Sequence, residues 1–319
     1  MATIVIAGGT GFLGRNLSRR LVDRGDRVIV LTRGRTRTAD GVDHVNWDAQ
    51  TLGPWTHSLD GANAIVHLTG KRVDCRPTAR NIAALISSRV QPVLLVGRAL
   101  RVLRAPPPLW VQSGTLAIYG EGGDTVITED TPVDGIGPQQ MVQVALAWEA
   151  AYRHATVDVE RTVLLRIGVT IGGDDDPATA RLAQLARLGL GGAVGSGRQW
   201  MSWVGLDDAM NVMLTAIDDR SMHGLFHLTA PSPQRNADVM AALRGVVGQR
   251  VGIPSPAWLT RIGAPVLGVD PALALTGRRC VPQRLLAHGV TFDDTDIAQA
   301  LCRAVQGSAQ DAHGHTRAS

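Results

Sequence analysis

GGTGFLG (residues 8–14) follows the β-branched run TIVIAG and sets Gly8, Gly11 and Gly14 three apart. A strand entering a glycine turn and then a helix leaves backbone N–H groups aimed at whatever lies over the helix start, which suits a pyrophosphate. The glycines allow the tight turn, the close phosphate approach and the packing of helix on strand. Thr10, Phe12 and Leu13 share that loop and would border the ligand. The next strand, RVIVLT, ends at Thr32 and is followed by Arg33 and Arg35, with no carboxylate to take a ribose 2′-hydroxyl. Arginines there suit a 2′-phosphate, so NADP(H) is expected in preference to NAD(H); the alternative is two solvated surface arginines. Asp48, in VNWDAQ, is a candidate contact for an adenine amine.

These groups need a scaffold, and the pattern of the first half supplies one. Strand-like TIVIAG, RVIVLT, AIVHLTG (64–70), LWVQSG (109–114) and TVLLRIGVTIG (162–172) alternate with helical stretches. One of these, 81–103, carries Pro92, near which a break is expected. Such alternation predicts an α/β fold, a Rossmann-type doubly wound parallel sheet, over residues 1–172. From 173 to 306 the texture changes to short mixed elements, read as a smaller C-terminal substrate lobe that includes a helix opened by an asparagine cap at Asn236. Residues 307–319 are small and polar and read as a disordered tail.

Composition narrows the function. The 319 residues are 45% apolar and 19% charged, the balance of a globular protein. A net charge of +4, with arginine spread along the chain, needs no nucleic-acid partner, because a phosphate-bearing cofactor accounts for part of it. Cys75, Cys280 and Cys302 form no CxxC pair, which suits a reducing compartment and argues against a zinc site. A strand starting at Thr3 leaves no room for a signal peptide, and no apolar run reaches the roughly 18 residues of a membrane span. A cytoplasmic monomer or homodimer acting on a small molecule, with no membrane partner, is expected.

GGTGFLG, HLTGK and SGTLAIYGEGG, in that order, resemble the extended short-chain dehydrogenase/reductase superfamily. The stretches at 188–214, 224–243 and 277–292 are similar to its nucleoside-diphosphate-sugar-epimerase-like branch, which carries its own small C-terminal domain. The resemblance implies that Leu68, Thr69 and Gly70 border the cofactor. It also implies a Ser or Thr, a Tyr and a Lys as the reacting set, the last two four apart on one helix. The Ser/Thr position falls on Thr115, the Tyr position on Gln139 and the Lys position on Gln143. The acid–base pair is therefore replaced by two amides. The chain has two tyrosines, Tyr119 and Tyr152, and one lysine, Lys71, so no Tyr-x-x-x-Lys can be written anywhere. Glutamine does not titrate, although it can hold a substrate by hydrogen bonds.

Substitutes are few. Lys71 lies beside where the resemblance puts the nicotinamide ribose, and reads as an ammonium that orients a carbonyl or serves as an acid, or else as a surface lysine. Tyr119 reads either as a group facing the substrate or as structural. Arg198, Trp200 and Trp203 would suit a planar or anionic ligand, and the two tryptophans could equally pack the lobe interface. The expectation is an NADP-dependent oxidoreductase acting on a small or polycyclic carbonyl, quinone or hydroxyl compound, in specialised biosynthesis. A non-redox isomerase, epimerase, dehydratase or cyclase, or an NADP-binding sensor, is the alternative.

Overall fold

The computed structural model describes residues 1–172, 176–266 and 268–314. In chain order the first half runs β1 (Thr3–Ala7), α1 (Phe12–Asp23), β2 (Arg27–Thr32), β3 (Arg37–Ala39), β4 (Val42–Asn46), β5 (Ala64–His67), α2 (Ala79–Leu100), β6 (Leu109–Thr115), β7 (Val126–Ile127), α3 (Val142–Ala155), β8 (Arg161–Ile167) and β9 (Val169–Ile171). There follow α4 (Pro177–Arg187), β10 (Trp200–Met201), β11 (Trp203–Gly205), α5 (Leu206–Asp218), β12 (Gly224–Leu228), β13 (Gln234–Arg235), α6 (Asn236–Val246) and α7 (Ala257–Val266). Last come α8 (Ala272–Leu275), β14 (Arg279–Cys280), α9 (Gln283–Ala287) and α10 (Ile297–Gly314).

Eight strands make one sheet in the order β12-β8-β6-β5-β1-β2-β4-β3, parallel except for β3. Its central strands are apolar on both faces because both faces are covered. Ile4, Ile6, Val28, Val30 and Val66 share one core cluster with Leu17 and Leu21 of α1 and Val212 and Met213 of α5. Their alternate neighbours Val5, Ile29, Ile65 and Trp110 join Val93 and Val96 of α2 and Trp148 and Tyr152 of α3. The doubly wound sheet expected from the alternation is what forms.

Several local expectations change. Pro92 does not break α2, which runs 22 residues through it. The proline is buried, and packing on the sheet and α3 holds the helix across the missing N–H. By length and composition α2 could also cross a bilayer; in the fold it packs on the sheet and α3, with 44% of its most apolar stretch buried. The expected strand 162–172 splits at Gly168, where a Cβ would sit 2.7 Å from the Ser202 carbonyl oxygen, and β9 leaves to pair with β11. Asn236 opens α6 without capping it: its Oδ1 accepts instead from the Val194 N–H at 2.8 Å. The chain crosses the expected boundary at 172 in both directions. Strand β12 returns to the main sheet beside β8, while β7 pairs with β14 of the lobe. Helix α10 continues to Gly314, into the expected tail, and residues 315–319 lie outside the described residues.

Candidate functional site

Strand order reverses between β1 and β5, and the turns after them stand where a doubly wound sheet opens its ligand cleft. Gly8 has φ +87°, and a Cβ there would lie 2.7 Å from the Leu68 carbonyl carbon. A Cβ on Gly14 would lie 2.5 Å from the Gly9 Cα. Both glycines are required by the protein's own packing. Gly11 is different: the nearest atom to its Cβ position is the Gly8 carbonyl oxygen at 3.4 Å. Gly11 caps the start of α1 with no side-chain cap and no acidic residue in the first turn. An open glycine at an uncapped helix start fits a dinucleotide pyrophosphate. Thr10, Phe12 and Leu13 flank it, and Arg15 Nη1 donates to the Thr10 carbonyl at 2.7 Å.

At the far end of the cleft Thr32 Oγ1 accepts from the Gly34 N–H at 3.0 Å, and Asn46 Nδ2 donates to the Gly34 carbonyl at 2.6 Å, so the turn after β2 is fixed. Arg33 and Arg35 project from it, exposed and without a hydrogen-bond partner among the described residues. Asp48 is engaged locally. It accepts from the Gln50 and Thr51 N–H groups and from the Thr51 hydroxyl, which hold its carboxyl down to about 2.

Leu68 and Thr69 lie against Gly8, Gly70 follows them, and beneath Gly70 sits a group that no local sequence pattern marks. Arg89 of α2 is buried, its Cζ 3.0 Å from where a Gly70 Cβ would be. It donates to the Leu85 and Lys71 carbonyls and stacks on Trp148, with no ion pair to a carboxylate among the described residues. Burial pulls its guanidinium down to about 10. A buried cation one helix away from the nucleotide cleft leaves no periodic signal, because arginine at that position reads as a solvated helix face. Lys71 itself is exposed, its Nζ donating to Asn81 Oδ1 at 3.3 Å.

Beyond β5, strand β6 extends past the level of His67 to Thr115. The Thr115 hydroxyl is half-buried and accepts from the Ala117 N–H at 3.1 Å, capping the short 3-10 turn Leu116–Tyr119. That turn carries Tyr119 into the interior, as the structural of its two readings would have it. The phenol is buried, accepts from Arg166 Nη1 at 2.6 Å and lies 2.8 Å from His227 Nε2. His227 Nδ1 lies 3.1 Å from the Val281 carbonyl, so its proton sits there and Nε2 accepts from the tyrosine. Arg166 in turn is bidentate to Glu149, at 2.8 Å for both bonds. Burial pushes Tyr119 up to about 12 and His227 down to about 3. Tyr152 is buried as well and pushed up to about 12.

Gln139 and Gln143 do not share a helix. Val142 starts α3, and Gln139 lies in the preceding turn, closed by the Met141 and Val142 N–H groups on the Pro138 carbonyl. Both amides are nonetheless exposed and without partners among the described residues. Between them Gln140, which the sequence reading passed over, is buried. It donates to the Val73 and Cys75 carbonyls at 2.8 and 3.0 Å. It thereby ties the loop after Lys71 to the start of α3.

The lobe residues divide. Trp203 is fully buried in the lobe core, its Nε1 donating to the Ser232 carbonyl, so its expected part in substrate binding is corrected to packing. Trp200 is half-buried between Arg235 and Arg279, 4.3 and 4.6 Å from its ring centre, and donates to Asp124. Arg198 is exposed on the same stretch. No cluster of metal-ligating side chains occurs among the described residues.

Comparison with known proteins adds relatives to this geometry. The profile of the NAD dependent epimerase/dehydratase family matches residues 4–224. Epimerase family protein SDR39U1 of Bos taurus is 31% identical over 304 residues, covering 93% of this chain and 98% of that protein. The crystal structure of human epimerase family protein SDR39U1 (isoform 2) with NADPH is similar with a TM-score of 0.83 and 28% identity, over 95% of this chain and 99% of that one. UDP-glucuronic acid 4-epimerase from Bacillus cereus, in complex with UDP-glucuronic acid and NAD, has a TM-score of 0.76 at 13% identity, over 97% and 99% of the two chains, a likeness of fold alone.

Proposed function

The chain belongs to the NAD dependent epimerase/dehydratase family, and from that premise we propose that it is an NADP(H)-dependent oxidoreductase whose substrate needs no acid from a tyrosine. The observation that carries this reading is the state of the two phenols. Tyr119 and Tyr152 are buried and held near 12, while the exposed amides of Gln139 and Gln143 stand at the start of α3. When bound, NADP(H) supplies or takes up hydride at its nicotinamide. Gly11 and the start of α1 bind its pyrophosphate, and Arg33 and Arg35 hold the 2′-phosphate that distinguishes it from NAD(H). Thr115 and Gln143 or Gln139 steady the substrate oxygen by hydrogen bonds, and Lys71 adds a positive charge beside it.

None of the amides can donate a proton outright, so the charge that develops on the substrate must spread into its own π-system. Quinones and conjugated enones meet that condition, with the final proton taken from water. The test follows NADPH consumption, by its near-ultraviolet absorbance, against a panel of carbonyl compounds, enones and quinones. Turnover of quinones or enones in preference to simple ketones is the expected result, with a rate flat between about pH 6 and about pH 9 because no phenol titrates there. Tight NADPH binding with no consumption across the panel would favour the second reading, an NADP-binding sensor, which the enclosure of Tyr119 also supports. Exchange at a substrate stereocentre with the cofactor unchanged would instead favour an epimerase or isomerase. For the cofactor, Arg33→Ala should weaken NADPH binding by about tenfold and leave NADH binding unaltered, as read by titration of each nucleotide.

A further inference from the structure

Helix α7 turns its small residues toward the protein and its large apolar ones toward water. Ala257, Gly263 and Ala264 are half-buried, whereas Trp258, Ile262 and Val266 are 62, 63 and 73% exposed, and no residue of the helix is buried. The face does not stand alone. The Ile253 N–H donates to the Gly189 carbonyl at 2.8 Å, and the Gly195 N–H to the Ser255 carbonyl at 2.8 Å, which lays the segment before α7 against the loop after α4. Leu188, Leu190 and Ile253 thereby join the same patch, each half or more exposed. Eight of the seventeen large apolar side chains exposed among the described residues fall at 188–190 and 251–266. Scattered exposed leucines need no explanation, but a concentration of this kind marks a contact surface.

Charge identifies the partner. Arg187, Arg250 and Arg261 are exposed around the patch, and residues 177–206 and 239–269 contain no aspartate or glutamate. We propose that this face docks on an anionic lipid surface, with α7 lying in the plane of the headgroups. Trp258 and Ile262 would enter the acyl boundary while the arginines meet phosphate. A second copy of the chain fits less well, because a twofold pairing of the patch sets arginine against arginine. A ten-residue helix lying along a bilayer does not need the length that spanning one takes. Arg76, in the loop after Lys71, donates through Nε to the Pro265 carbonyl at 2.6 Å, so the docked helix stays tied to the loop beside the nucleotide cleft.

The test is sedimentation of the full chain with vesicles of phosphatidylcholine alone or of equal parts phosphatidylcholine and phosphatidylglycerol. Binding to the anionic vesicles only is expected, weakened about fivefold for each of Arg250→Ala and Arg261→Ala. Ile262→Asp should bring it to background, with the fold checked by circular dichroism. Leu188→Gln, on a different segment, should weaken it as well and guards against a local effect in α7. Equal binding to both vesicles, or none to either, overturns the proposal. So does a dimer in sedimentation velocity that Ile262→Asp dissolves, which would assign the patch to a second copy, or specific capture of an acidic protein through it.

Discussion

At the scale of single residues, Tyr119 is a chemically attractive side chain whose partners all lie inside the fold. Its hydroxyl is the middle of a chain that runs from Glu149 through Arg166 to His227, all buried. Tyr119→Phe leaves an arginine N–H and a histidine nitrogen unpaired, which should cost about 1–3 kcal/mol in urea denaturation. NADPH affinity and turnover should stay at the wild-type level. A large fall in turnover with unchanged stability would return Tyr119 to the reaction. The missing Tyr–Lys pair was legible by subtraction, since two tyrosines and one lysine allow no such spacing. Gln140 and Arg89 were not legible, because each acts through a neighbour distant in the chain: Val73 and Cys75 for one, Gly70 and Trp148 for the other.

At the scale of elements, the glycine turn separates what the fold needs from what the ligand needs. Gly14→Ala puts a methyl into the Gly9 backbone and should destabilise the protein by about 2 kcal/mol or more. Gly11→Ala meets only the Gly8 carbonyl oxygen, at an ordinary contact distance, so the melting temperature should hardly move. NADPH binding should nevertheless fall about tenfold or more, as a methyl displaces a phosphate from the helix start. If both variants lose stability alike, the cradle is a packing device and its ligand role is lost. The sequence spacing of 8, 11 and 14 shows all three glycines as equals. Only the approach of Leu68 and Gly9 distinguishes them.

At the scale of the whole molecule, two histidines make the fold sensitive to acid. His67 lies in the sheet core and His227 at the seam where β12 meets the C-terminal segment, and burial holds both neutral, down at about 3. In the unfolded chain they take up protons near pH 6.5, so between roughly pH 6.5 and pH 3 the unfolded state binds more protons than the fold. Stability therefore falls as pH drops through that window. From about pH 7 to about pH 5 the loss should be of the order of 2 kcal/mol per histidine, read as a shift in the urea midpoint. A His227→Gln variant should show a shallower dependence. A midpoint independent of pH across that range would mean that the histidines are not enclosed.

Local rules carried a large part of this protein. Periodicity gave the parallel sheet and its covering helices, because a strand buried on both faces must be apolar throughout. Glycine spacing gave the cleft, because only glycine permits that turn. Counting residue types gave the vacancy in the usual reacting pair, and no structure was needed for it. Tertiary structure decided what depends on approach between distant segments. It took Trp203 into the lobe core and Tyr119 into a buried network. It carried α2 through Pro92 and split the strand at Gly168, where Ser202 comes too close for a side chain. It also turned α7 outward, since which face of a short helix meets the protein is set by the surface it lands on.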